Sequence, residues 1–234
     1  MARDKTFDLL RDALVQPGCA LCRLERDHVQ RYLAGFMYED VTDVDLRAKM
    51  RAAQGFCREH CAQAIRVRDS LGLAIIYQDI LSTVREDMQA ALAAPRLPGR
   101  NLLRRAPSPG KQAAQRITAR SACPACAVRD EITVAALASL LRNINDSALL
   151  PVFRQSGALC LPHLRRALAQ VTNAAALDTL VERQQEVMAQ LDAELAEFIR
   201  KHDYRFRHEP MGDERDCWKR AIDMAVGLPA EEGS

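Results

Sequence analysis

The 234-residue sequence is poor in aromatic side chains, 5%, and carries a formal net charge of only +2. So weak a balance excludes the strong overall field that draws whole domains to nucleic acid or anionic membranes. Its longest apolar run, LGLAIIY at 71–77, falls far short of the roughly 20 residues a bilayer-crossing helix needs, so no membrane span is expected. Residues 1–16 interleave charges with apolar residues and lack the uninterrupted apolar core of a secretory signal. A cytoplasmic location is the expectation. Also missing are a glycine-rich phosphate loop, a Gly-x-Ser-x-Gly elbow and an HExxH pair. Enzyme classes built on those motifs lose their support, and a stand-alone enzyme is not expected; a redox-active chain would be an iron–sulfur electron carrier.

What is present points to helices. Apolar residues make up 48% and charged residues 27%, and Ala, Leu, Arg, Gln and Glu abound. No sustained period-two alternation occurs, so the fold class is all-α. Residues 3–15 carry Phe7, Leu10 and Leu14 at helical spacing, and residues 20–38 carry Leu24, Val29, Leu33, Phe36 and Met37. Thr42, with Asp45 three residues on, marks a helix start before Leu46, Met50 and Ala53. Two long helices are predicted: 70–93, with Leu73, Ile76, Ile80, Val84, Met88 and Leu92 on its inner seam, and 174–201, with Leu177, Leu180, Val187, Leu191, Leu195 and Phe198. Pro95, Pro98, Gly99, Pro107, Pro109 and Gly110 interrupt the pattern between them. This gives a first helical module at 1–94, a basic Pro/Gly/Arg-rich connector at 95–117, a second module at 118–201 and a tail at 202–234 whose short helix sets Trp218, Ile222 and Ala225 on one side.

The cysteines carry the chemistry. Cys19-x-x-Cys22 is followed after 34 residues by Cys57-x-x-His60, and Cys123-x-x-Cys126 after 33 by Cys160-x-x-His163. In the same register Leu46 matches Leu149, Arg51 matches Arg154 and Ala64 matches Ala167, so the chain is an internal duplication. In a reducing compartment such a set reads as metal ligands rather than disulfides. Two thiolates three residues apart can point at one ion, and the distant Cys-x-x-His pair closes the tetrahedron. The expectation is one Cys3His site per half: Cys19, Cys22, Cys57 and His60 in the first, Cys123, Cys126, Cys160 and His163 in the second. Cys61 competes with His60 as fourth ligand, but it aligns with Leu164 whereas His60 aligns with His163, which favours His60.

Cys19–Cys22 and Cys57–His60 each stand where a helix begins, so helix dipoles and free amides favour thiolates there. Three thiolates, one neutral imidazole and a divalent zinc sum to −1, which Arg23, Arg58, Arg165 and Arg166 can offset. Four protein ligands leave no open position, so two structural zinc ions are expected rather than a hydrolytic one. Two iron–sulfur clusters in the same ligands are the alternative. The bland readings are a dithiol role for Cys123 and Cys126 set aside for want of a βαβ context, a buried Cys217, a solvent-facing His28, and Tyr77 and Asp79 as core hydrogen-bonding groups.

The expected partner is another protein. Arg96, Arg100, Arg104, Arg105, Lys111, Arg116 and Arg120, with no acid among residues 96–120, give nucleic acid a weaker claim on that stretch. Alternating aromatic and basic residues at Tyr204–His208 add little, and a solvated, partly docked tail is the favoured reading of them.

The CxxC start, the Gly-Phe-Cys-x-x-His turn, GLAIIYQDIL and the ending KHDYRFRHEP…DERDCWKRAIDMAVG together resemble a bacterial domain-of-unknown-function family, number 6062. The resemblance covers nearly the full length. It implies a bacterial protein whose two CxxC and two CxxH sets bind metal, and it implies no reaction.

Overall fold

Helix α1 (Lys5–Leu14) buries Phe7, Leu10, Ala13 and Leu14, the predicted stripe at three- and four-residue spacing. The computed structural model describes residues 5–93 and 108–227, and among them are eleven α-helices and no strand. After Pro17 and Gly18 comes α2 (Ala20–Gly35), prolonged by one π turn at Phe36–Asp40. Helix α3 (Val44–Ala53) is capped by Asp43, whose carboxylate accepts from the Leu46 amide at 2.8 Å. The expected cap at Thr42 is thus displaced by one residue, to the side chain that reaches the third amide. Then follow α4 (Arg58–Arg66) and α5 (Ser70–Ala93).

Helix α6 (Pro109–Arg116) lies inside the basic Pro/Gly/Arg-rich connector. Ser108 caps it by accepting from the Lys111 amide at 3.3 Å, and Pro109 takes the first helical position, where its missing N–H costs nothing. The rest of the connector, 94–107 with Arg96, Arg100, Arg104 and Arg105, lies outside the described residues. The chain continues through α7 (Pro124–Asn143), α8 (Leu150–Gln155), α9 (Leu161–Gln170), α10 (Ala174–Lys201), a 3-10 turn at Asp213–Asp216 and α11 (Cys217–Val226).

Two units result: residues 1–28 with 130–234, and residues 29–129. Their boundaries fall inside α2 and α7. In the first unit Leu10, Leu21, Leu137, Leu140, Leu149 and Phe153 are fully buried together. Each such side chain contributes about 1.5–3 kcal/mol relative to exposure. In the second, Leu33, Phe36, Met50, Phe56, Ala64 and Ile76 form the core. The amino-terminal part of α2 belongs to the first core and its carboxy-terminal part to the second. No helix among the described residues is long and apolar enough to cross a membrane.

Three side-chain expectations change. The inner seam of α5 holds for Ile76 and Ile80, with Leu73 and Val84 half-buried, but Met88 and Leu92 are 53% and 75% exposed, because each step of four turns about 40° further round a helix of 3.6 residues per turn and carries them off the buried face. Helix α11 buries Cys217 and leaves Trp218, Ile222 and Ala225 outward. His28 is half-buried, its Nδ1 lying 2.9 Å from the Leu24 carbonyl. Asp79 does serve as a packing group: Arg51 (2.6 Å) and Arg47 (3.1 Å) donate to it, tying α3 to α5. Burial opposes its charge, yet the two guanidinium groups hold its carboxyl below the usual range.

Beyond α10 the tail is anchored by ions. Lys201 Nζ lies 2.7 Å from Glu214, which also accepts from the Gly212 amide at 2.8 Å. Arg200 joins Glu197 and Glu209 and covers the Phe206 ring at 4.5 Å. Arg205 pairs with Asp203, and Tyr204 is exposed, so the aromatic-basic run is a docked, solvated turn. Lys201 first, then backbone amides, hold the Glu214 carboxyl down to about 2, against an ordinary value of 4.5. A folded value below the unfolded one stabilises above the unfolded pKa and is lost as pH falls through the folded one. Hydrogen exchange around residues 210–217 is therefore expected to accelerate between pH 4.5 and 2, and Lys201→Met should shift that onset toward higher pH.

Candidate metal centres

All four ligand pairs sit in one local frame. Cys57 and Cys160 are the capping residues of α4 and α9, and Cys19 and Cys123 immediately precede α2 and α7. The carbonyl of each accepts the first helical bond, as from Cys61 to Cys57 at 2.8 Å and from Leu164 to Cys160 at 2.8 Å. The second member of each pair falls in the first helical turn, on the side the cap faces. Every pair is thus a helix start presenting two donors beside unpaired amides.

The pairs combine crosswise. Cys19 and Cys22 meet Cys160 and His163, while Cys57 and His60 meet Cys123 and Cys126, each group holding its four ligand atoms within 4.8 Å of one another. This corrects the expectation of one site per linear half. The physical reason is helix length: α2 runs 16 residues, about 24 Å, so a chain leaving its far end does not return Cys57 to Cys22. Each group lies within one unit instead.

The loops that precede the helices enforce the pairing. In the first unit a Cβ on Gly157 would lie 3.1 Å from the Gly18 amide nitrogen, so the backbones before Cys160 and Cys19 touch where any larger residue would part them. In the second unit the amides of Arg120 and Ser121 donate to the Ala52 carbonyl at 2.7 and 3.2 Å, and Gln54 Nε2 donates to the Ile117 carbonyl at 2.6 Å. The segment before Cys123 is thereby fastened to the one before Cys57.

The donor spacing fits one ion. Sγ···Sγ separations are 3.5 Å for Cys22–Cys160 and 3.7 Å for Cys57–Cys126. Sγ···Nδ1 separations run from 3.1 to 3.5 Å around both histidines. Tetrahedral zinc with ordinary bond lengths requires about 3.8 Å between sulfurs and about 3.5 Å from sulfur to nitrogen. His60 belongs to its group, whereas Cys61 lies outside it with its Sγ 3.2 Å from the Tyr77 hydroxyl.

Protons are shared unevenly among the thiols. Cys160 and Cys22 hold Cys19 well below the ordinary thiol value, and the same contacts push Cys22 up. In the second group burial works against the Cys57 thiolate, but the His60 amide and the sulfurs of Cys126 and Cys123 hold it low, while burial and Cys57 push Cys126 up to about 12. In both groups the favoured thiolate stands at a helix start. Burial disfavours charge on His163, yet bonds to Cys160, Cys19 and Glu25 outweigh it and push the ring up to about 11. An entering ion must displace that proton, so affinity falls as the pH is lowered.

Glu25 is a residue the sequence reading missed. Its Oε1 lies 3.0 Å from His163 Nε2 and also accepts from the Thr133 hydroxyl. That bond fixes the tautomer that leaves Nδ1 free for an ion, as carboxylate partners of metal-bound histidines do. Three residues after Cys22, an acid on a helix face reads as solvated. Its counterpart after Cys126 is Arg129, which faces Glu59 at 3.9 Å, so the two centres are not chemically identical. Gly227, at the end of α11, was missed as well. Its φ is +71°, and a Cβ there would lie 3.0 Å from Cys160 Sγ and 3.4 Å from Cys22 Sγ, so the tail closes over the first centre with bare backbone. Of the four arginines expected to offset the charge, Arg23 feels the Cys19 thiolate, against the larger effects of burial and of Arg26.

The chain belongs to the family of unknown function DUF6062. The match spans residues 9–232, which includes all eight ligands. This DUF6062 chain is also 23% identical over 213 residues to an uncharacterized 23.9 kDa protein in the xynA 3' region of Caldicellulosiruptor sp. (strain Rt8B.4), covering 89% of this chain and 95% of that one. No solved structure matches it.

Crossed pairing has a distinct mutational signature in metal-reconstituted protein. Cys22→Ser with Cys160→Ser should remove one bound equivalent and leave the other tight, whereas Cys22→Ser with Cys57→Ser should weaken both; linear pairing gives the reverse in elemental analysis. Glu25→Gln should weaken metal affinity about 10–100-fold at the His163 centre alone, measured by competition with a chromogenic chelator.

Proposed function

We propose that this chain is a helical scaffold that holds one structural zinc ion in each Cys3His group and engages a macromolecular partner, another protein. The observation that carries this reading is the convergence of four donors, twice, within 4.8 Å. Four protein donors complete a tetrahedron and leave no position for substrate, which supports a structural ion over a hydrolytic one. An iron–sulfur cluster spreads its thiolates over several irons, so donors this close together support a single ion. A protein partner is favoured over nucleic acid because Arg120, in the described part of the basic stretch, faces Asp87 at 3.4 Å, while large apolar side chains stand exposed on helix surfaces.

Elemental analysis of anaerobically purified protein tests the reading directly. Two zinc per chain and no visible absorption are expected, and brown protein containing iron would overturn it. Chelation should also collapse the helical circular dichroism, because a structural zinc ion supplies folding energy on the order of 10 kcal/mol.

A further inference from the structure

The two centres differ in how well their sulfurs are shielded. In the first, Cys22, Cys160 and His163 are buried and only Cys19 is half-buried. The backbone of Gly227 lies against two of its sulfurs: the carbonyl is 3.6 Å from Cys22 Sγ, and a Cβ would meet Cys160 Sγ at 3.0 Å. In the second, Cys57 and Cys126 are both half-buried, and their sulfurs are 3.7 Å apart. Proximity does not separate the centres, because Cys22 and Cys160 are as close, at 3.5 Å. Access does. Oxidation of a thiolate follows its exposure as well as its charge. A disulfide needs one sulfur that an oxidant can reach and a second beside it that is free to turn. Cys57 and Cys126 meet both needs, whereas Cys19 has only covered sulfurs beside it.

We propose that the second centre is an oxidation-sensitive site in which peroxide joins Cys57 to Cys126, while the first centre keeps its donors. The inference rests on the reading of both groups as zinc centres. One thiolate attacks a peroxide oxygen and becomes a sulfenic acid as the O–O bond breaks and hydroxide leaves. The other thiolate then attacks the sulfenic sulfur, forming the S–S bond and expelling a second hydroxide. Two electrons pass from the sulfur pair to hydrogen peroxide, and solvent protons turn the two hydroxides into water. His60 and Cys123, the donors left, are too few to close a tetrahedron, so oxidation empties this centre. Cys61 stands aside, its Sγ 3.2 Å from the Tyr77 hydroxyl.

Elemental analysis of the full chain as purified comes first: protein without zinc overturns the zinc reading and this inference with it. The zinc-loaded chain is then exposed to hydrogen peroxide. Released zinc is followed with a chromogenic chelator, and the remaining thiols are alkylated on unfolding for peptide mapping. The chain is expected to lose one of its two equivalents and to gain one disulfide, between Cys57 and Cys126. Cys61→Ser should leave this pattern unchanged. Gly227→Val, whose side chain does not fit against the covered sulfurs, should cause the other equivalent to be lost as well. Loss of both equivalents together from the wild type, retention of both, or a disulfide within the first group overturns the inference and leaves the zinc reading standing. So does a Gly227→Val chain whose first centre still resists peroxide.

Discussion

Two helix starts aimed at one point are the constraint on which the rest of this structure depends. A helix leaves its first amides without partners and its amino-terminal end electropositive. Here two such ends converge at each centre, and three of the four side chains placed on them are thiols able to become anionic. The favoured thiolates, Cys19 and Cys57, both stand at the very start of a helix. The ligand groups, the capping of four helices and the junctions of the loops before them are therefore one arrangement rather than three.

Stiffness turns that local motif into crossed pairing. Helices α2 and α7 belong at one end to one core and at the other end to the second. Each therefore carries its CxxC pair away from the CxxH pair of its own repeat. The close contact of Gly157 with Gly18 and the bonds from Arg120 and Ser121 to Ala52 then fasten each CxxC to the CxxH of the other repeat. A flexible stretch in place of α2 would remove the reason for the exchange.

Helix positions, ligand types and the choice of His60 over Cys61 were legible because they depend on short spacings that the backbone converts directly into geometry. The combination of pairs was not, since duplication makes the two CxxH turns chemically equivalent to either CxxC. The clue lay in the unbroken run from Ala20 to Gly35, a rod too long to fold back. Glu25 escaped notice because its task is set by His163, 138 residues away, and nothing local distinguishes it from Asp27. Gly227 is harder still: only the tertiary position of α11 gives meaning to its missing side chain. At Met88 and Leu92 the four-residue spacing continues, but each step drifts round the helix, and by the last turns it has left the buried face.

The exchange also orders events in time. The second unit is one continuous stretch, 29–129, and contains all four of its ligands, whereas the first is assembled from residues on either side of it. During synthesis the second unit's donor set is complete once Cys126 has emerged. Cys22 waits for Cys160, 138 residues later, which at ribosomal speeds is on the order of ten seconds. Through that interval two thiols at the start of α2 are held without the partners that will enclose them. The nascent chain thus passes through a stage in which one set of four donors is complete and the other has only its two thiols.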